Sequence, residues 1–446
     1  MKFLKKNWWY ILVFIFIFCC LNFFGFNHNY GDPTNNYGFS YAIARGQIPY
    51  LDFNTVSTPL YAFYCAIFLL IYNNYVTFLL AQALLVTVTF YFLYQMFGKK
   101  ASLFLVLLAV FTYSNIIGTY NYMCFFMMVV LVYLEKKYPN KDYLIGVCIA
   151  LSCLAKQTIG PFLIIPSIIF YHKDLKKLLR RFIGFLIPCV IFLIYLLVTG
   201  AFLPFLDLCL FGLFDFFNNN GVGGGQVHIW PFIFTLLSIV FSLILIIRHR
   251  KDIQNYYLFF GFLFAVPLFD FTHYAMYANC LLIMVLPYIR LPEKYLVSLS
   301  FTIFIPTCII LFIMWPVDFV FTSDANHFNY NLHDKEAYQN LMKYDKYIDQ
   351  YEDAIVVGYY SMYYDIINDR NLSYFDVLYY GNFGYNGTEK MINRIKDMHD
   401  QYFVVSFEDY KSDYEYSQFA KEVAHWIVSN CEEVDSKYAF VVYYKE

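Results

Sequence analysis

"HNYGDPTNNYGFSYAIARGQIPYLDFNTVSTPLYAF", residues His28 to Phe63, decides how the rest of the chain is read. It follows the first apolar run, Trp8 to Phe26, of a 446-residue chain that is 60% hydrophobic. Its first half is polar and Asn-rich, and Asp32 sits in a Gly-Asp-Pro turn. Its second half turns apolar at Thr58-Pro59-Leu60. What that loop does depends on the side of the membrane it faces and on what else faces the same way.

That a membrane is involved follows from composition. A mean hydropathy of +0.50 and only 14% charged residues, with apolar runs separated by short charged knots, describe a polytopic α-helical membrane protein. Without water in the hydrocarbon the backbone must satisfy itself within helices. The net charge of -2 speaks against a nucleic-acid partner. Met1 to Lys6 carries three lysines ahead of an apolar run with no small-residue cleavage site, so that run reads as a retained first helix. Of the 11 cysteines only Cys431 lies in the polar C-terminal part, which leaves no disulfide framework there.

Apolar segments fall near 8–26, 76–97, 101–116, 119–135, 143–156, 158–171, 182–199, 229–247, 255–269, 274–289 and 295–315. The run Pro59 to Tyr72 is placed by charge. If it lies on the outer leaflet, 18 of the 31 Lys and Arg residues collect on the inner side. The resulting topology has eleven spans, with the amino terminus inside and the carboxyl terminus outside. A first external loop, 27–75, carries a juxtamembrane helix. Residues 1–316 form the membrane unit. Residues 317–446 change composition and read as a small extracytoplasmic α/β domain. There, Ala354 to Gly358, Tyr402 to Ser406 and Tyr438 to Tyr444 are strand-like, while Lys335 to Tyr351 and Glu415 to Asn430 are helix-like.

The polar, reactive residues gather on the outer side. Asp32, in a turn fixed by Pro33, suits a general base for a hydroxyl acceptor; its alternative is an Asx-capped turn. The flanks of Asp52 suggest a carboxylate that orders the loop. Lys156, in "CLAKQTIGPF" between two apolar helices, either stabilises a phosphate or snorkels to headgroups, and Gln157 and Thr158 add donors beside it. Asp270 and His273, in "PLFDFTHYAMYA", are spaced to share a helical face. They suit a phosphate or sugar hydroxyl better than a metal, which wants more ligands. "DFFNNNGVGGGQVHIW" lacks the lysine and setting of a nucleotide loop and reads as a lid or a plain connector.

The run from Asp32 through "YAIARGQIPYLDFNTVSTPLYAF" resembles the first external loop of GT-C class membrane glycosyltransferases, the group that includes protein O-mannosyltransferases and lipid A aminoarabinose transferases. The matching elements are Asp32, Gly46-Gln47-Ile48-Pro49-Tyr50-Leu51-Asp52 and Pro59-Leu60. "LAKQTIG" is similar to the family's mid-chain Lys-Gln hairpin and "FDFTHY" to its late Asp-x-x-His motif. The resemblance implies a polyprenyl-phosphate sugar donor drawn from the lipid, with a glycan, lipid or protein as acceptor at the outer face of the plasma membrane. It makes Asp32 the catalytic carboxylate and puts Lys156 and His273 at the lipid phosphate, with Gln157, Asp270, Asp52 and Arg45 as further substrate-binding residues. Many relatives have two adjacent acids where this chain has Gly31-Asp32-Pro33. No cofactor is therefore required by the residues, and a divalent metal stays open. A lipid-linked-sugar flippase would need polar residues at midplane depth, which these spans nearly lack. An O-antigen polymerase or ligase typically has a large basic external loop, and Gly200 to His228 contains no Lys or Arg.

Overall fold

The computed structural model describes residues 9–24, 32–104, 119–219, 227–266, 268–290, 292, 295, 298, 302, 346–351, 353–358, 361–377, 382–406, 421–437 and 440–446. Among them, three helices are long and apolar enough to cross a membrane: Tyr75–Phe104, Leu175–Thr199 and Ile229–Arg248. Local sequence sets their ends. Asn74 accepts a hydrogen bond from the Val76 N–H at 2.7 Å to start the first, and Asp174 accepts from the Lys177 N–H at 3.0 Å to start the second. The second stops at Gly200, whose φ of 77° is the left-handed conformation that glycine adopts freely. Eleven spans were expected; the runs 101–116 and 295–315 fall largely outside the described residues. The run 255–269 is not one helix but two, Ile253–Phe259 and Phe262–Ala265.

Two expected loops are helical. Residues 32–44 form a helix, with Pro33 in the first turn where proline is tolerated; Gly38 and two asparagines are carried because Tyr37 and Tyr41 are buried against their neighbours. The ring of Tyr37 meets Tyr75 and Phe78 edge-on at 5.2 and 5.4 Å. Residues 202–219 form Phe202–Phe205, a π-turn Leu206–Phe211 and Gly212–Asn219. The Gly-rich segment 220–226 that follows lies outside the described residues. Pro59 to Tyr72 contains the helix Leu60–Leu69, whose ten residues reach about 15 Å, half the hydrocarbon thickness.

The helix Asp142–Ala155 carries the site, and it is fixed at its far end. It packs against Leu175–Thr199 through Gly146 and Gly184. A Cβ on Gly146 would stand 1.9 Å from the Arg181 carbonyl oxygen, and one on Gly184 would stand 2.1 Å from that of Tyr143. A buried charge cluster locks the same end. Arg181 pairs with Glu135 at 2.6 Å and with Asp142 at 3.2 Å, and donates to Ser167 at 2.9 Å, while the Tyr257 hydroxyl donates to Glu135 at 2.9 Å. With every partner in place, their attraction offsets a desolvation cost that a lone buried charge could not.

The C-terminal sheet has the order β1 (Ile355–Val357), β2 (Gln401–Ser406), β4 (Phe440–Lys445), β3 (Glu432–Lys437). The β1–β2 pair is parallel and the other two are antiparallel. Alternation along the strands feeds two cores. Phe403, Val405, Val441 and Tyr443 meet the helices Gly387–Lys396 and Lys421–Asn430, while Val404, Phe440 and Val442 meet Tyr347 and Tyr364. The expected strands and the second helix are present where described. Most of the expected helix Lys335 to Tyr351 lies outside the described residues. Met362, Ile366, Leu372 and Val377 pack into the main helical core, so this unit is not a loose appendage.

Candidate active site

The turn that ends Asp142–Ala155 delivers Lys156 into a cleft of about 420 Å³. Lys156 is only 8% exposed. Its ammonium donates to Asn121 Oδ1 and lies 5.1 Å from the Tyr120 ring centroid and 5.6 Å from that of Phe264. Polar groups enter the cleft from Ser57, Tyr120, Lys156, Gln157, Thr158 and His273. The remaining wall is apolar: Val56, Leu210, Leu213, Phe214, Phe216 and Phe217 on one part, Leu263, Phe264 and Leu268 on another. A cation among aromatic faces, with a long apolar wall beside it, is chemistry for an anionic head carrying a hydrocarbon tail.

Three of the sequence-predicted residues meet here, and they play different parts. Gln157 donates to the Val56 carbonyl at 2.6 Å and accepts from the Thr58 hydroxyl at 3.4 Å, so its amide ties the first loop to the Lys156 turn. His273 lines the cleft, while Asp270 stands behind it. Asp270 caps the helix Phe271–Val285 by accepting from the His273 N–H at 2.7 Å, and its other oxygen meets His273 Nδ1 at 2.7 Å. Burial alone would raise the Asp270 carboxyl. The His273 charge and the hydrogen bonds from His273 and Thr272 outweigh it and hold the carboxyl below the ordinary range. Asp270 thus fixes the imidazole's orientation and presents its Nε2 side.

Arg45 and Asp52 do not join this cleft; they line a separate depression that shares no residue with it. Asp52 orders its loop, as its flanks suggested. Its Oδ2 accepts from the Ile48 N–H at 2.6 Å across a turn in which Tyr50 has a φ of 71°. Arg45 donates to the Asp369 carbonyl at 2.7 Å. Asp32 opens the helix Asp32–Ala44, and its side chain lies outside the described residues. Among the described residues no three His, Cys, Asp or Glu side chains converge as metal ligands, and Asp270 with His273 is only a pair.

Asn121 was not singled out from the sequence, and the 202–219 segment was read only as part of the external loop Gly200 to His228, its end as a lid or connector. Asn121 had a signal, a carboxamide inside the apolar run "YNYMCFFMMVV". The second segment is clasped from outside by the C-terminal unit. Asp207 pairs with Lys390 at 2.6 Å and accepts from the Tyr385 N–H at 3.3 Å, and Asp215 accepts from the Asn386 N–H at 2.8 Å. Gly384 closes that turn with a φ of 85°, and a Cβ there would lie 2.4 Å from the Asp207 carboxylate. One side of this segment lines the cleft and its acids grip the C-terminal unit.

No protein-family model matches the chain, and no curated protein matches it. Among solved structures, the crystal structure of ArnT from Cupriavidus metallidurans bound to undecaprenyl phosphate is similar. It is 12% identical, with a TM-score of 0.56, and the match covers 99% of this chain and 98% of that one. The GT-C resemblance read from the first loop and the two later motifs is matched at the level of the whole fold. The chain has the ArnT fold from end to end, a polytopic membrane-protein fold.

Proposed function

We propose that this protein is an integral membrane glycosyltransferase that moves a sugar from a polyprenyl-phosphate donor to a glycan, lipid or protein acceptor at the outer face of the plasma membrane. The observation that carries the reading is the cleft: Lys156, Gln157 and His273 beside an apolar wall. The structural neighbour supports it, since that protein holds undecaprenyl phosphate. In this reading residues 1–316 are the membrane unit, residues 317–446 are extracytoplasmic, and the helix Leu60–Leu69 lies along the outer leaflet.

The chemistry then runs as an inverting displacement. Asp32 takes the proton of the acceptor hydroxyl as that oxygen attacks the anomeric carbon. The bond from that carbon to the phosphate oxygen breaks, and the lipid phosphate leaves with one more negative charge. The transition state has oxocarbenium character. A helix amino terminus keeps a carboxylate ionised, and so able to take a proton, while lowering its basicity. Lys156 and His273 stabilise the charge that grows on the phosphate, and Asp270 steers His273.

The test is transfer from polyprenyl-phosphate sugars by the full-length protein in nanodiscs. Asp32→Asn, which keeps size and removes the base, is expected to abolish transfer while the protein stays folded and binds undecaprenyl phosphate. Wild-type turnover by this variant would remove Asp32 from the chemistry.

A further inference from the structure

A second depression, of about 600 Å³, lies where the first loop meets the C-terminal unit. Unlike the cleft, it is lined almost wholly by polar side chains: Arg45, Gln47, Asp52, Asn371, Tyr374 and Arg394. Such a surface suits a hydrophilic ligand rather than a lipid chain. Two guanidinium groups, the Asn371 carboxamide and the Asp52 carboxylate offer planar, forked hydrogen bonding, the chemistry that recognises vicinal hydroxyls and oxyanions, while Gln47 and Tyr374 build the frame.

The frame of this depression is rigid. Gln47 uses both ends of its amide on the Leu372 backbone, donating at 2.8 Å and accepting at 2.9 Å. The Tyr374 hydroxyl donates to the carbonyls of Tyr50 and Leu51 at 2.6 and 2.8 Å. Arg394 stacks on the Tyr374 ring at 3.6 Å, which fixes its plane. Arg45 is partly balanced by Asp369 at 3.5 Å, and one oxygen of Asp52 is engaged by the Ile48 N–H. Among the described residues Arg394 has no carboxylate within ion-pair distance, so its guanidinium keeps its charge for a ligand, with Asp52 as the one carboxylate in the same lining.

Its position adds a direction. Asp52 lines this depression and Val56 lines the cleft. Four residues of chain span at most about 14 Å, so a ligand anchored here lies within the reach of a short oligosaccharide from the cleft wall.

We propose that this depression is a subsite for an acidic glycan, taking a sugar unit that carries a carboxylate or phosphate. Arg394, with Arg45, binds the oxyanion, while Asn371 and Asp52 bind hydroxyls. In the glycosyltransferase reading, on which its purpose rests, the unit belongs to the distal part of the acceptor.

The experiment uses full-length protein in nanodiscs of neutral lipid and measures binding of three probes of equal length: an oligogalacturonate, a phosphorylated malto-oligosaccharide and an unmodified one. An acidic probe is expected to bind roughly tenfold tighter than the neutral one, the worth of a charge-assisted hydrogen bond. Arg394→Gln removes that preference, Arg394→Lys keeps part of it, and all three proteins bind undecaprenyl phosphate alike. Whichever acidic probe binds names the oxyanion. Equal binding of acidic and neutral probes, no binding of any probe, or an acid preference untouched by Arg394→Gln overturns the proposal. Failure of the wild type to bind undecaprenyl phosphate, with the acid preference intact, sinks the donor reading and leaves the subsite standing.

Discussion

Replacing Lys156 by Met removes the cleft's buried cation and keeps its length. In the proposed reaction the lipid-phosphate donor carries one negative charge and the departing lipid phosphate gains another. A unit charge at about 4 Å from the ammonium, at an effective dielectric of about 20, is worth about 4 kcal/mol. With half of that charge developed at the transition state, the loss lies between about 2 and 4 kcal/mol, or roughly thirty- to a thousandfold in rate. Single-turnover transfer reads the chemical step, and titration with undecaprenyl phosphate reads binding; both are expected to weaken. Lys156→Arg should keep part of the rate, since the charge survives while the geometry shifts. A structural effect is separable. Lys156→Met also strips the donor from Asn121 Oδ1, which costs about 1–3 kcal/mol of stability for a buried polar atom left without its partner. The double variant Lys156→Met with Asn121→Leu should regain stability without regaining rate. Wild-type kinetics in Lys156→Met, at both saturating and sub-saturating donor, would refute the argument.

Two further expectations test the frame around this site. The 23 residues of Tyr75–Phe97 reach about 34 Å, enough to cross a bilayer. Cysteines introduced at Asn73 and Lys99 should therefore label from opposite faces, Asn73 from outside and Lys99 only after permeabilisation. External labelling at Lys99 would mean that Pro59 to Tyr72 crosses the membrane. At the clasp, Asp207→Asn weakens a half-exposed ion pair worth about 1 kcal/mol or less, so the donor KM should rise up to about fivefold with kcat kept. Lys390→Met should produce the same rise, and the double variant no more; independent, additive effects would show that the clasp does not hold the cleft wall.

What the sequence disclosed and what it hid divide along one physical line. Lys156 was legible because the cost of a cation in an apolar run is local, visible without knowing its partner. The order-setting part of Asp52 was legible for a similar reason, since its partner, Ile48, is four residues away. The helix Asp32–Ala44 was read as a loop because Gly-Asp-Pro reads as a turn, not a helix start, and Gly and Asn have poor helix propensity; the burial of Tyr37 and Tyr41 that overrides it comes from segments far along the chain. The strand β3 was missed for the opposite reason. All six of its residues are exposed at the sheet edge, so Glu432–Lys437 carries no apolar alternation to read.

The same line explains the two depressions. From the sequence Arg45, Asp52, Lys156 and His273 all fall on the outer side as substrate-binding residues, with nothing to divide them between two sites. Only the long-range bonds separate them. Gln157 draws the first loop to Lys156 at Val56, and Gln47 and Tyr374 draw it to the C-terminal unit a few residues earlier. The loop is therefore pinned at two places, to two partners of different chemistry. On one side lies an apolar wall with a buried cation, on the other a polar surface with stacked arginine. Two pinned ends hold the intervening residues at a fixed spacing, which the proposed transfer from a lipid-borne donor would require.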